Sequence, residues 1–143
     1  MSGSNLFSVG RDCQLVLIGP SGRVDLTHVT GFDARQLTQQ IRVTRLDGTN
    51  LGTNLPRGWE GEFEIERGSS AAEDLIDQIE QNYYAGGLMQ FSTLYQYINE
   101  TDGSVSTWQY ASVVVRLAEA GMWQGDSGVK QKLDFFASTR QRM

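Results

Sequence analysis

The chain has 143 residues, a formal net charge of −5, one cysteine and one histidine. That length suits a single domain, residues 1–143, with a core that needs no staples. The acidic balance argues against a nucleic-acid grip, which relies on Lys and Arg neutralising phosphates. A lone Cys13 excludes an internal disulfide, and with His28 as the one histidine a metal site is short of ligands.

No apolar run reaches membrane-span length. The opening Met1-Ser2-Gly3-Ser4-Asn5 lacks the charged start and apolar stretch of a signal peptide, so a product made in the cytosol is expected. Residues 1–10 read as a small polar arm with one apolar anchor, Leu6-Phe7. A first strand is predicted over 12–18, and Gly19-Pro20-Ser21-Gly22 supplies a tight turn. A second strand follows over 23–30, broken by Gly31-Phe32-Asp33, and a third covers 39–46. Residues 47–58 show no periodicity and carry three Gly, two Asn and a Pro, which predicts a long loop. Loops of that length are functional or disordered, and Leu51 and Leu55 favour docking on a partner.

Residues 59–67 alternate cleanly, with Trp59, Gly61, Phe63 and Ile65 on one face and Glu60, Glu62, Glu64 and Glu66 on the other. Four like charges on one strand face repel unless water or a basic partner screens them. A uniform row lacks the contrast of environments that separates the pKa values of a catalytic pair. A helix is predicted over 70–85. Ser70 with Glu73 suggests a capping box, and Ala72, Leu75, Ile76, Ile79 and Tyr83 form one apolar stripe. Asp77 and Glu80 make the opposite face acidic, and Gly86-Gly87 ends the helix.

The longest element is a hairpin with arms over 89–99 and 104–117 and a turn at Glu100-Thr101-Asp102-Gly103. An even loop sets odd positions of the first arm against even positions of the second. That parity gives an aromatic core face with Phe91, Tyr95, Tyr97, Trp108 and Tyr110. The opposite face holds Ser92, Gln96, Thr107 and Gln109 among aliphatics, an uncharged surface suited to lining or meeting something. A Gly-rich link over 118–128 leads to a last strand over 129–138, and the chain ends on Arg140-Gln141-Arg142. The fold class expected is mainly β (α+β): two packed antiparallel sheets or a partly closed barrel with one flanking helix.

Catalysis finds little support. His28 reads as structural, Cys13 as a small buried hydrophobe, and no serine occupies a nucleophile elbow. No cofactor or catalytic residue is assigned.

The segments Gly31-Phe32-Asp33, Leu55-Pro56-Arg57-Gly58-Trp59-Glu60-Gly61, Tyr83-Tyr84-Ala85-Gly86-Gly87, Thr101-Asp102-Gly103-Ser104 and Trp123-Gln124-Gly125-Asp126-Ser127, in that order and spacing, resemble the tail tube protein of contractile-tailed bacteriophages. The resemblance covers about residues 11–140. It implies a fold shared with type VI secretion and bacteriocin tubes, and hexameric rings stacked into a hollow tube. Strands of adjacent subunits would build one inner β-barrel through which DNA passes without specific binding. Sheath, baseplate and tail terminator proteins are the implied partners. The implied location is the virion, assembled in the host cytoplasm and away from membranes.

On this resemblance residues 47–58 become an inter-ring loop, with Asp47, Thr49, Asn50, Leu51, Asn54, Leu55 and Arg57 as contacts. Leu6 and Phe7 become an arm contact, and Ser92, Gln96, Thr107 and Gln109 line the lumen. Glu60, Glu62, Glu64, Glu66, Asp77 and Glu80 face either sheath or lumen. A monomeric ligand-binding β-barrel, an alternative of a different class, would keep its sheet closed.

Overall fold

Most of the chain is strand. The computed structural model describes residues 8–24, 26, 28–87 and 90–143. A 3₁₀ turn (Gly10–Asp12) leads into β1 (Cys13–Gly19), β2 (Gly22–Val24), β3 (Val29–Thr44) and β4 (Asn50–Glu66). Helix α1 (Ala71–Tyr84) precedes β5 (Ser92–Asn99), β6 (Val105–Glu119), β7 (Lys130–Ala137) and β8 (Thr139–Arg142). Every pairing is antiparallel, and the strands form one unclosed sheet in the order β2-β1-β5-β6-β7-β4-β3, with β8 also on β6. The expected class, mainly β with one helix, is the one observed.

Strand β6 joins two half-sheets. Its residues 105–113 pair β5, and 114–119 pair β7. The register with β5 slips between Tyr110 and Val113, where Ser112 sits at φ 52°. A bulge of this kind bends its strand and re-aims the side chains beyond it. The sheet folds over at this point. Leu17, Leu94 and Tyr110 of the first half then meet Phe63, Leu133 and Phe135 of the second, and α1 adds Ala72 and Leu75. The Tyr110 ring lies 5.6 Å from Phe135 and 6.2 Å from Trp59. The Arg140 guanidinium stacks 3.8 Å over Trp108 and 4.7 Å from Trp59, fastening β8 to the core. Burial raises the Tyr110 hydroxyl pKa, and the Arg140 charge opposes that rise.

Four expectations change. Gly31-Phe32-Asp33 does not break a strand, because β3 runs through it with a register shift between Val29 and Gly31. Residues 47–58 are not a loop: the turn is confined to 45–49, and β4 starts at Asn50. Glycine, asparagine and proline disguise that strand, because all three are depleted in strands. Gly58 at φ +114° and Gly61 are required there, because a Cβ on Gly61 would lie 2.0 Å from the Asp33 carbonyl oxygen.

The capping box is also absent. Ser70 makes no side-chain cap; its Oγ donates to Asp74, while Glu73 accepts from Arg67 and Gln131. Of the predicted helix stripe, Ala72 and Leu75 are buried and Ile76 and Ile79 pack on the core, but Tyr83 is exposed.

The hairpin parity is the fourth. Glu100 N–H bonds the Ser104 carbonyl at 2.8 Å, so the loop has five residues, 100–104, and odd positions face odd. Trp108 and Tyr110 therefore share the inner face with Ser92, Leu94 and Gln96, while Tyr95 and Tyr97 point outward with Thr107 and Gln109.

Candidate assembly surfaces

The distal parts of β3 and β4 leave the body as a two-stranded arm. Every residue from 38 to 57 is exposed. Cross-strand register puts Ile41 opposite Thr53, Val43 opposite Leu51 and Gln39 opposite Leu55, all on one face. Gln40, Arg42, Asn54 and Asn50 alternate onto the other. The arm is thus amphipathic, with an apolar face that none of the described residues covers. Asp47 caps its tip by accepting the Thr49 N–H at 2.9 Å, and this backbone bond holds the Asp47 carboxyl below its ordinary range. Thr44 donates to Asn50 at 3.0 Å, and Arg57 donates to Gln39, bracing the base. Of the seven predicted loop residues, Leu51 and Leu55 therefore share the apolar face, while Asp47 and Thr49 build the tip.

The second surface is the outer face of the half-sheet β6-β7-β4-β3. The glutamate row on β4 faces outward as expected, but its basic partners come from the same chain. Lys132 lies 3.5 Å from Glu62, Lys130 3.8 Å from Glu64 and Arg35 3.7 Å from Glu60. Arg116 pairs with Asp134 on the same face. β7 also alternates, Lys130 and Lys132 falling opposite Glu66 and Glu64 across the ladder. The like-charge repulsion expected from β4 alone is offset by its neighbours, each exposed pair contributing at most about 1 kcal/mol. Glu66 lies at the end of this row, and Asp77 and Glu80 are exposed on α1.

The predicted lumen residues divide. Ser92 is 3% exposed and Gln96 faces inward, its Nε2 donating to Cys13 Sγ at 3.4 Å and its Oε1 accepting from the Tyr110 hydroxyl at 3.2 Å. Neither can line a lumen as the sheet stands. Thr107 and Gln109 do lie outward, and Gln109 donates to the Tyr95 hydroxyl at 3.3 Å. Leu6 and Phe7 lie outside the described residues.

The third feature is the pair of bare strand borders. Among the described residues β3 pairs only with β4, and residues 114–119 of β6 pair only with β7, so both borders of the four-stranded half-sheet are open there. Sequence reasoning placed the open border on no particular strand, because pairing partners are not written in local alternation. Among the described residues no cluster of His, Cys, Asp and Glu is placed to hold a metal, and no helix is long and apolar enough to cross a membrane.

No family model and no curated protein matches the sequence. Solved structures match in fold. A chain of an extracellular contractile injection system, the PVC sheath–tube complex in its extended state, aligns with TM-score 0.62 at 11% identity, covering 99% of this chain and 94% of that one. A chain of the anti-feeding prophage tube-terminating cap aligns with TM-score 0.61 at 12% identity, covering 97% and 93%. A chain of the anti-feeding prophage baseplate gives 0.59 at 9%, covering 97% of each. The fold is therefore one used in the tube, cap and baseplate assemblies of contractile injection systems.

Proposed function

We infer that this chain is a structural subunit, without catalytic activity, of the inner tube of a contractile bacteriophage tail. Six copies close into a ring and rings stack into a tube through which DNA leaves. A sheath surrounds the tube, and baseplate and terminator proteins bound its ends. The protein is assembled in the host cytoplasm and carried in the virion.

The observation that carries this reading is the four-stranded half-sheet with both borders bare. Unpaired N–H and C=O groups on long borders are a liability in a monomer and a joining device in a ring. The other half-sheet ends in β2 and β8, of three and four residues, too short for comparable pairing. Six copies would give 24 strands. At about 4.8 Å per strand and with barrel tilt, the backbone circle is roughly 45–50 Å across.

The glutamate–lysine face then lines the lumen, in place of the Ser92 and Gln96 face. Its Lys and Arg are engaged by Glu60, Glu62, Glu64 and Asp134. Phosphates meet no row of free cations, so DNA slides past. The arm reaches the adjacent ring through Leu51 and Leu55, the Leu6-Phe7 segment adds a stacking contact, and Asp77 and Glu80 face the sheath.

A second reading, a secretion-system or bacteriocin tube, is favoured by the fold likeness to injection-system chains and predicts the same rings. Genes for capsid and terminase beside this one select the phage reading. Electron microscopy and sedimentation of the purified protein test both. Hollow filaments about as wide as the 24-strand circle plus an outer layer are expected. A protein that stays single at every concentration, with β3 amides already protected from exchange, refutes both.

A further inference from the structure

A stack of like-oriented rings is head-to-tail, so the end of the subunit opposite the arm must receive it. Topology identifies that end. β4 runs from the arm down to Glu66, which pairs with Lys130, the first residue of β7. The segment joining β6 to β7, residues 120–129, therefore sits at the far end of the same half-sheet.

This segment is unlike an ordinary solvated loop. Met122 and Trp123 are each 68% exposed, beside a hollow of about 460 Å³ lined by Gly121, Met122, Gln124 and Gly128 with Glu119 and Lys130 at its sides. Trp123 is also held in place. The Arg67 guanidinium lies 5.2 Å from its ring centroid, and Arg67 is itself fixed by Glu73 at 2.6 Å. Gln131, fully buried, donates to the same Glu73 oxygen at 2.8 Å and to the Ala120 carbonyl at 3.0 Å. An exposed indole held by a hydrogen-bonded, half-buried network is pre-organised for contact and loses little side-chain freedom on docking.

The two ends are complementary in charge. Residues 38–57 contain Arg42, Arg45 and Arg57 against Asp47, a basic element in a chain of net charge −5. Around the seat Glu66, Glu73, Glu119 and Asp126 outnumber the two cations Arg67 and Lys130. An arm of about seven residue pairs beyond its base stands roughly 20 Å tall, enough to overlap the near end of the next copy.

We propose that the seat of the arm is the Met122-Trp123 segment of a second copy, Val43 and Leu51 covering the open face of the Trp123 indole. The proposal rests on the stacked-tube reading and specifies its inter-ring contact.

The test uses the full chain with Cys13→Ser. Val43→Cys or Leu51→Cys is combined with Met122→Cys in one chain, which keeps the Trp123 indole, and the assembled protein is oxidised. A ladder of disulfide-linked multimers on a non-reducing gel is expected from the pairs, with no ladder from any single variant. Filaments in the microscope whose chains run as monomers after oxidation overturn the seat and leave the tube reading standing.

Trp123→Ala provides a second measurement that needs no cross-link. It should keep the parent melting temperature and raise the concentration needed for filaments at least tenfold; filaments at the parent concentration overturn the proposal. A Cys13→Ser parent that forms neither rings nor filaments removes the tube reading, and the seat with it.

Discussion

Replacing Leu51 and Leu55 together by Asp tests the arm's proposed role in assembly apart from any role in folding. The two side chains are 44% and 38% exposed in the isolated chain, so most of one leucine's apolar surface remains to be buried by a partner. Losing that burial costs about 2 kcal/mol. Setting two carboxylates in a contact without counter-charges adds roughly 1–3 kcal/mol each. Each arm contact then weakens by about 4 kcal/mol or more, close to a thousandfold. The monomer should hardly notice. Surface changes of this kind stay within about 0.5 kcal/mol each, or about 2 °C in melting temperature for a domain of this size. Sedimentation and electron microscopy measure stacking, and thermal melting by circular dichroism measures the fold. Filaments growing at the parent concentration would refute the docking role. A fall of more than about 10 °C would show that the arm belongs to the folding unit.

Gly61→Ala should destabilise by about 3 kcal/mol in urea denaturation, because its Cβ would lie 2.0 Å from the Asp33 carbonyl oxygen and 2.8 Å from the Ala34 Cα. Arg140→Ala should lower the melting temperature by roughly 5 °C through loss of stacking on Trp108 and Trp59. It should also raise the Tyr110 hydroxyl pKa, followed by ultraviolet titration, since the opposing cation is gone. The Glu73 carboxyl is held below its usual value of 4.5, first by the hydrogen bond from Arg67 and then by that from Gln131. Its stabilising contribution is therefore present above pH 4.5 and lost as pH falls through the lowered folded-state value. Glu73→Gln should flatten the melting-temperature profile below that point, and an unchanged acid slope would count against the assignment.

Local pattern carried much of the fold. The alternation of Glu60–Glu66 against Phe63 and Ile65 placed one face of β4 on the core, and the helix and hairpin arms fell close to their observed positions. The failures have definite causes. Hairpin parity rested on whether the 100–104 loop is odd or even, and a one-residue difference turns every side chain over. The arm looked like a loop because Gly52, Asn54 and Pro56 are poor strand formers, and they mask the short alternation of Leu51, Thr53 and Leu55. The partners of the glutamates were also invisible locally. Lys130 and Lys132 are more than sixty residues from them in sequence, and only β4–β7 pairing brings them across. The seat at Met122-Trp123 gave one signal, a tryptophan amid glycines, but its bracing by Arg67, Glu73 and Gln131 required three separate elements to converge.

The unbroken course of β6 has a mechanical meaning. A pull along the strand direction on its 114–119 end passes along covalent backbone into the β5 hairpin, through a strand flanked by β5, β7 and β8. Ladder bonds that lie across the strand are loaded in shear and must give way together rather than one by one. An object under tension that is made of such units fails first at the joints between them, and each unit comes away whole.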